Sequence, residues 1–395
     1  MRLRLAPVLV FAYAALWFVV GLFPADRSDL DLFFWPSAQA ALAGHPLLVY
    51  SVAGTQSYPN ANGPLSLLPL TAVGLLLSAL HQLNSTTLLH AFTFAVFSLF
   101  ILLMAREAIF AIERVRTRPL SSLSRALAYV TLALSPPLWQ SLLGYGHIEQ
   151  PLEVWLVLLA LRYLDSGFLV RAGFFFGLAV LTRSSAALFA IPLAFAFLRR
   201  PPLSAVRFFL PALVTALIVL LPFYLADRSD LLHSLFSYRS SLPIYVGSIW
   251  VFALGTPGAT IGQHFDILVV ALLALTTNLF LAKHATPLRL YAGLALSAAA
   301  FTLLVKTVWP YYFFEVFVFT IIFFCARYSS TQNHRWLVLP PLFVCALGLL
   351  AEIGATPFAP TPVVLLEAAL MFILLVAGMT ATTWVSARSP SPSPT

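Results

Sequence analysis

Long stretches of apolar residues follow one another through most of this chain, and they limit the folds open to it. Residues 208–226, for example, contain no charged side chain. Only 9% of all residues are charged, against about 25% in an average soluble protein. Water does not solvate a surface so poor in charge, and an apolar content of 61% drives burial rather than disorder. A soluble globular fold and a disordered chain are both excluded.

The solvent for these stretches is lipid, which restricts the secondary structure. In hydrocarbon each backbone N–H and C=O needs a partner within the protein, so that only helices and closed barrels span. The stretches are continuous rather than alternating, which indicates helices. The sequence therefore predicts an all-α, polytopic integral membrane protein with about 12 transmembrane helices. The expected spans are residues 5–23, 86–112, 126–143, 151–164, 172–181, 185–198, 208–225, 265–282, 290–305, 311–326, 336–351 and 362–385.

The basic residues indicate how the chain is threaded. With both termini in the cytoplasm, this scheme leaves a small minority of the 22 Lys and Arg residues outside, as the positive-inside rule demands. Residues 64–80 are apolar enough to cross, but counting them as a span would reverse the side of everything that follows. We therefore interpret them as a re-entrant or interfacial segment. The net charge of +8 has the same origin, and no nucleic acid partner is expected. The basic residues outside are Arg27, Arg183, Arg228, Arg239 and Lys306.

We expect one transmembrane domain, residues 1–388, in a plasma membrane, and the bias of Arg over Lys hints at a bacterium. Two large outer loops with interfacial helices, residues 24–63 and 226–264, interrupt it, and a Ser-Pro-rich cytoplasmic tail, residues 389–395, is expected to be disordered. The sequence contains no Gly-rich phosphate loop and no nucleotide domain, which excludes a self-contained ATP-driven pump.

The first outer loop, residues 24–63, carries acids beside aromatic residues. Asp29 and Asp31 directly precede the aromatic run 33–35, as at the start of an interfacial helix. Two interpretations are open: a carboxylate caps the helix, or a carboxylate acts as a general base at the lipid–water boundary. Residues two apart do not share a helical face, so that one acid can cap while the other points into a cavity.

The segment 31–44, DLFFWPSAQAALAG, resembles the first-loop motif of glycosyltransferase family 87, a family of GT-C-type membrane mannosyltransferases. That motif runs from an Asp through aromatic residues and a small-residue helix to Gly, then Tyr and a Tyr-Pro-Pro stretch. Gly44, Tyr50 and Tyr58 fit it, whereas Asn60 stands where the second proline is usual, and residues 62–64, Asn-Gly-Pro, are interpreted as that proline displaced. The resemblance implies that Asp31 is the catalytic base.

The same resemblance implies further site residues. Tyr58 and Asn62 are expected to bind substrate, and Asp29, by its spacing from Asp31, is expected to cap the helix or to support Asp31 in catalysis. The element 146–149, GHIE, is similar to a Gly-Gln-x-Asn or Gly-His-Pro-Glu element of these relatives, and Arg183 stands where many carry Lys. His147, Glu149 and Arg183 are thus expected to bind substrate on the outer side. Structural alternatives stay open: His147 and Glu149 could cap a helix, and Arg183 could reach lipid headgroups.

Cations and aromatic residues near other outer helix ends complete the expected site. Arg239 and Lys306 are suited to a phosphate, because Arg binds it in a bidentate manner and Lys as a point charge. Tyr311 lies close by in the sequence and joins them as an expected substrate contact.

The resemblance covers residues 1–200 and implies a glycosyltransferase. It would move a hexose, mannose in this family, from a polyprenyl-phosphate-sugar donor to a lipid or glycan acceptor at the outer face, with inversion. Cationic side chains can stabilise a lipid monophosphate as it leaves, so no metal and no cofactor are expected. Two other functions remain open: a multi-pass transporter or lipid flippase that uses intramembrane charges, and an assembly subunit without activity.

Overall fold

The computed structural model describes residues 2–23, 28–51, 60–116, 119–135, 138, 141, 145–244, 248–282 and 288–328. These residues are helical or irregular and include no β-strand. The all-α fold class is thereby confirmed for the described part of the chain. The expected spans 336–351 and 362–385, the tail 389–395 and Tyr58 lie outside the described residues.

Fourteen α-helices occur in the described residues. They are α1 (Arg2–Leu22), α2 (Trp35–Leu42), α3 (Leu67–Ala79), α4 (Thr86–Val115), α5 (Ser122–Ala133), α6 (Glu149–Asp165), α7 (Leu169–Thr182), α8 (Ala190–Phe197), α9 (Pro202–Ala226), α10 (Arg228–Leu232), α11 (Tyr238–Ser241), α12 (Pro257–Leu281), α13 (Leu288–Leu304) and α14 (Phe313–Tyr328).

Three of these helices, α4, α9 and α12, are long and apolar enough to cross a membrane. They support a membrane protein, whereas a count of twelve spans stays a prediction. Among the described residues, several shorter apolar helices accompany them: Pro7–Leu22, Pro64–Ala79, Leu169–Thr182, Ser184–Phe197, Leu288–Leu304 and Phe313–Phe323.

The expected span 126–143 is wrong as one continuous helix. Helix α5 begins after Ser121, whose hydroxyl accepts a hydrogen bond from the N–H of Ser124 at 3.1 Å, and it ends at Ala133. Leu134 has left the helical conformation, with φ −123° and ψ 25°. The sequence gives the reason, because residues 135–137 read Ser-Pro-Pro. A residue before proline disfavours the helical conformation, and proline has no N–H to continue the helix.

The chain divides into two compact units, which are described separately. The first comprises Met1–Glu107, Trp139–Ala186 and Val206–Arg239, and the second comprises Ala108–Leu138, Ala187–Ala205 and Ser240–Thr395.

In the first unit, α6 and α7 form an antiparallel hairpin whose turn uses Gly167 at a positive φ of 80°. Helix α7 packs closely on α9 because Gly173 and Gly177 carry no side chain. A Cβ on Gly173 would lie 2.0 Å from the carbonyl oxygen of Phe208, and one on Gly177 would lie 2.6 Å from that of Ala212. This four-residue spacing of glycines is typical of closely packed helices in membranes.

The first loop is fixed to the same unit at Gly63. A Cβ there would lie 1.8 Å from the carbonyl oxygen of Leu181, so the loop backbone packs directly on the last turn of α7. Nearby, the phenol of Tyr50 donates a hydrogen bond to the carbonyl oxygen of Asn62 at 3.0 Å. The Asn60 amide donates to the same oxygen at 2.8 Å. The end of the loop is thereby held beside the C-terminus of α7.

In the second unit, α13 packs against both α12 and α14. Asn278 on α12 donates a hydrogen bond from its amide to the hydroxyl of Ser297 on α13 at 3.2 Å. A Cβ on Gly293 would lie 2.2 Å from the Asn278 side-chain oxygen. A small residue at position 293 is therefore what admits this buried amide between the helices.

Candidate functional site

The two acids of the first loop lie at the start of a π-helical turn, Leu30–Phe34. Asp29 precedes the turn with helical angles and makes no side-chain capping bond. The expectation that a carboxylate caps this helix is therefore not met by Asp29. The turn continues directly into α2, where Trp35 N–H donates to the carbonyl oxygen of Leu30. Both carboxylates instead contact histidines from other parts of the first unit.

Asp31 pairs with His90, on the second turn of α4. Its Oδ1 atom lies 2.7 Å from Nε2 of His90. The Asp31 side chain is 37% exposed, whereas that of His90 is 8% exposed. Among the described residues no hydrogen bond reaches the second oxygen of Asp31. One oxygen is thus fixed by a buried imidazole, while the side chain stays accessible.

Asp29 pairs with His147, which precedes α6. Nε2 of His147 lies 2.6 Å from Oδ2 of Asp29, and Nδ1 lies 2.6 Å from Oε1 of Glu149. Burial alone would lower the pKa of His147, but the carboxylates of Glu149 and Asp29 outweigh burial and raise the pKa to about 9. The imidazole is therefore cationic near neutral pH. The helix that follows begins after Ile148, which makes no side-chain capping bond.

A buried arginine extends this row of charges. Helix α7 ends at Thr182, and Arg183 is extended, with φ −148° and ψ 126°. Its guanidinium lies between two glutamates, with Nε 3.7 Å from Oε1 of Glu149 and Nη1 3.7 Å from Oε2 of Glu153. Both glutamate side chains are 0% exposed. The alternative that Arg183 reaches lipid headgroups is wrong, because the side chain is buried among these acids.

A second ion pair lies far along the same helices. Glu107 on α4 accepts a hydrogen bond from Arg162 on α6 at 3.0 Å. Glu107 lies 17 positions after His90 on α4, which corresponds to about 25 Å along a helix. Between them, the rings of Phe100 and Trp155 pack with centroids 5.8 Å apart. These ionisable side chains of α4 and α6 thus lie at the two ends of an apolar stretch whose length is close to the ~30 Å core of a bilayer.

The segment that the sequence predicts as a second outer loop contributes to the same unit. The ring of Tyr238 packs edge-on against Phe33, with centroids 5.9 Å apart. The hydroxyl of Ser234 donates a hydrogen bond to the carbonyl oxygen of Tyr50 at 3.3 Å. Arg239 directly follows Tyr238 and is half-buried. The structure therefore brings the segment that carries Arg239 against the turn that carries Asp31.

Lys306 and Tyr311 belong to the second unit. Lys306 is 1% exposed, and its ammonium donates to the carbonyl oxygens of Ser240 at 2.6 Å and Gln263 at 2.9 Å. Its backbone N–H donates to Asp266 at 2.9 Å. Tyr311 is buried in a 3₁₀ turn against Tyr312. These contacts give Lys306 a structural role that the sequence did not predict, and its phosphate role stays a prediction.

Two residues of the site were missed in the sequence. Glu153 lies four residues after Glu149, one helical turn further on the same face, and this spacing could have revealed it. His90 stands alone among apolar residues of α4, and nothing in its neighbourhood marks it as the partner of Asp31. Among the described residues, no group of three or more His, Cys, Asp and Glu side chains is arranged to hold a metal ion.

The chain matches no protein-family model, and no curated protein matches it.

Proposed function

We propose that this chain is a membrane glycosyltransferase. It would move a hexose, mannose in the family that its first loop resembles, from a polyprenyl-phosphate donor to a lipid or glycan acceptor at the outer face. The observation that carries the proposal is the set of contacts and the exposure of the Asp31 side chain. One carboxylate oxygen is fixed by His90, the side chain is 37% exposed, and Tyr238 brings the Arg239 segment to the same turn.

In the proposed reaction Asp31 is the general base. Its carboxylate takes the proton from an acceptor hydroxyl while that oxygen attacks the anomeric carbon of the donor sugar. The bond between this carbon and the phosphate oxygen breaks, and the polyprenyl phosphate leaves with the electron pair. Arg239 stabilises the charge that develops on the leaving phosphate. The anomeric configuration inverts in this single displacement, and no step requires a metal or a cofactor.

The supporting residues have separate parts in this proposal. The contact between Asp29 and His147 holds the loop. Glu149 contacts the other nitrogen of His147, and Arg183 contacts Glu149. Asn62 is half-buried beside Tyr50 and is proposed to contact the substrate with Tyr58. A cationic lipid-phosphate site near an exposed carboxylate is suited to a lipid-linked donor, which carries its own leaving group and needs no nucleotide sugar.

A second candidate function is a multi-pass transporter or lipid flippase. The observation that favours it is the buried row of Glu149, Arg183 and Glu153, because ionisable side chains at membrane depth often mark a translocation path. Transfer in detergent separates the two functions, since a micelle abolishes transport between compartments but leaves transfer chemistry possible.

The test is transfer of radiolabelled mannose from purified polyprenyl-phosphate-mannose in detergent, with extracted membrane lipids and glycans as acceptors. Wild-type protein should label one acceptor fraction, and Asp31→Asn should lower turnover by about 10²–10⁴-fold, the usual contribution of general-base catalysis. Asp29→Asn is the matched control. It should weaken a charge-assisted contact worth about 1.5–3 kcal/mol and leave measurable turnover. Full activity of Asp31→Asn would contradict the assignment of the base.

A further inference from the structure

The ring of His147 lies between carboxylates from two separate segments of the chain. Asp29 of the first loop contacts Nε2, and Glu149 of α6 contacts Nδ1, each at 2.6 Å. The His147 side chain is 8% exposed, and the ring also packs edge-on against Phe34, with centroids 6.0 Å apart. A neutral imidazole has one N–H and can donate to one carboxylate, whereas the doubly protonated ring donates to both. Two carboxylates that each approach a ring nitrogen to 2.6 Å therefore favour the cationic form.

The charged groups around His147 favour that form. Asp29 faces the ring from the first loop and Glu149 from α6. Arg183, at the end of α7, contacts Glu149, and Glu153 contacts Arg183 from the next turn of α6. Three carboxylates thus surround two cations. Burial would lower the pKa of His147, but Glu149 and Asp29 raise the pKa to about 9, so the ring keeps its second proton at neutral pH.

We infer that His147 is a positioning residue: its ring, protonated on both nitrogens, ties the first loop to the start of α6 and thereby fixes the backbone that carries Asp31. This inference rests on the proposed function for its catalytic consequence. Asp29 and Asp31 are separated by a single residue, so a tie at residue 29 sets the position of the turn at residue 31. His90 then orients the Asp31 side chain, and His147 holds the backbone beneath it.

The tie has a defined pH dependence. The pKa of His147 is raised from its ordinary value of 6.5 to about 9, so protonated His147 contributes stability that is fully present below about 6.5. That stability is lost as the pH rises through about 9. Above this pH one nitrogen has no proton and faces a carboxylate at 2.6 Å, so one of the two contacts is lost and the link between the loop and α6 is weakened.

The test uses thermal unfolding of the full chain in detergent between pH 6 and pH 10. The melting temperature of the wild type should fall as the pH rises from 6.5 through 9. His147→Gln should be less stable at pH 6.5 and should lose most of this pH dependence. Asp29→Asn removes one partner and should shift the fall to lower pH. His45→Gln, which changes an exposed histidine outside the row, should behave as the wild type.

A second measurement reports the position of the loop at fixed pH. Leu32 is 41% exposed, and Leu32→Cys can be labelled with a thiol reagent at pH 7 in a chain whose Cys325 and Cys345 are replaced by Ala. Labelling should be faster when His147→Gln is added. In the transfer assay, His147→Gln should lower kcat by about 10–100-fold, the scale of a misplaced reacting group, with the KM for the donor little changed.

The outcomes separate the two proposals. If His147→Gln keeps the pH dependence of the wild type and its labelling rate, the inference is overturned, whatever the transfer activity. If melting and labelling change as expected while no protein transfers mannose, the tie stands and the proposed function fails.

Discussion

Asp31 meets His90 through one carboxylate oxygen, with 2.7 Å between Oδ1 and Nε2. The two residues lie 59 positions apart in the sequence, and this pair joins the first loop to α4. A base that must take a proton from a substrate benefits from such an arrangement, because one oxygen is held while the side chain remains 37% exposed.

The first prediction concerns His90. His90→Ala should lower kcat by about 10–100-fold, because Asp31 loses the contact that orients it. The change should leave the KM for the donor nearly unaltered, and steady-state transfer kinetics measure both. His264→Gln changes an exposed histidine of the second unit and serves as control. Wild-type kcat in His90→Ala would show that Asp31 needs no orienting partner.

The second prediction concerns Arg239. Arg239→Ala should raise the KM for the lipid donor tenfold to a hundredfold, since one charge-assisted contact is worth ~1.5–3 kcal/mol. Arg228→Ala, on the exposed side of α10, is the matched loss of a basic residue and should leave the KM unchanged. Equal donor kinetics in both variants would assign Arg239 to lipid headgroups instead of donor phosphate.

The third prediction concerns Lys306, for which sequence and structure favour different roles. Lys306→Met leaves the carbonyl oxygens of Ser240 and Gln263 without their ammonium donor, and unpaired buried groups cost ~1–3 kcal/mol each. We expect a lower melting temperature in detergent and an unchanged donor KM in the folded protein. Asp266→Asn keeps an acceptor for the Lys306 N–H and should be milder. A raised donor KM at unchanged stability would restore the phosphate role.

The fourth prediction concerns Gly63. Gly63→Ala should destabilise the first unit by about 1–3 kcal/mol, because the added methyl group meets the carbonyl oxygen of Leu181 and forces the backbones apart. Gly258→Ala is the comparison and should cost less, since its Cβ would lie 3.2 Å from two side-chain atoms, Cβ of Ala253 and Oγ1 of Thr256, and would overlap no backbone atom. Thermal unfolding compares them. An unaltered melting temperature in Gly63→Ala would contradict the close approach.

The fifth prediction concerns topology. Ser229 and Ser166 are both exposed and both belong to the first unit. In intact cells, Ser229→Cys should react with an impermeant thiol reagent, while Ser166→Cys, beside the basic residues of the α6–α7 turn, should react only after permeabilisation. The reverse pattern would invert the chain and make residues 64–80 a span.

The sequence predicts the helices of this chain far better than it predicts which distant side chains contact each other. Apolar stretches locate α4, α9 and α12, because hydrophobic length alone marks such helices. Hydrophobic length also predicts one span over residues 126–143, but α5 ends at Ala133, just before Ser135 and the two prolines that follow it. Within the first unit, the partnership of Asp29 with His147 depends on how the loop returns to α6. No periodicity encodes a contact between residues so far apart.

The candidate site shows the same limit. Asp31 and His147 each belong to a sequence motif, and both could therefore be predicted as site residues. The motifs do not reveal that Asp31 pairs with His90 and His147 with Asp29. The packing of Tyr238 on Phe33 brings two loops together that the sequence treats separately. Side-chain packing between distant segments determines such contacts, and local patterns do not specify it.

The burial of Glu149 and Glu153 against Arg183 also bears on how the protein enters a membrane. A charged side chain raises the cost of inserting a helix, by about 2.5–3.5 kcal/mol at the helix centre and by less towards its ends. Helix α6 carries both glutamates in its first two turns, and their arginine is synthesised only after α7 is complete. We therefore expect α6 to leave the translocon only together with α7. The two helices would then enter lipid as one hairpin in which the glutamates already pair with Arg183.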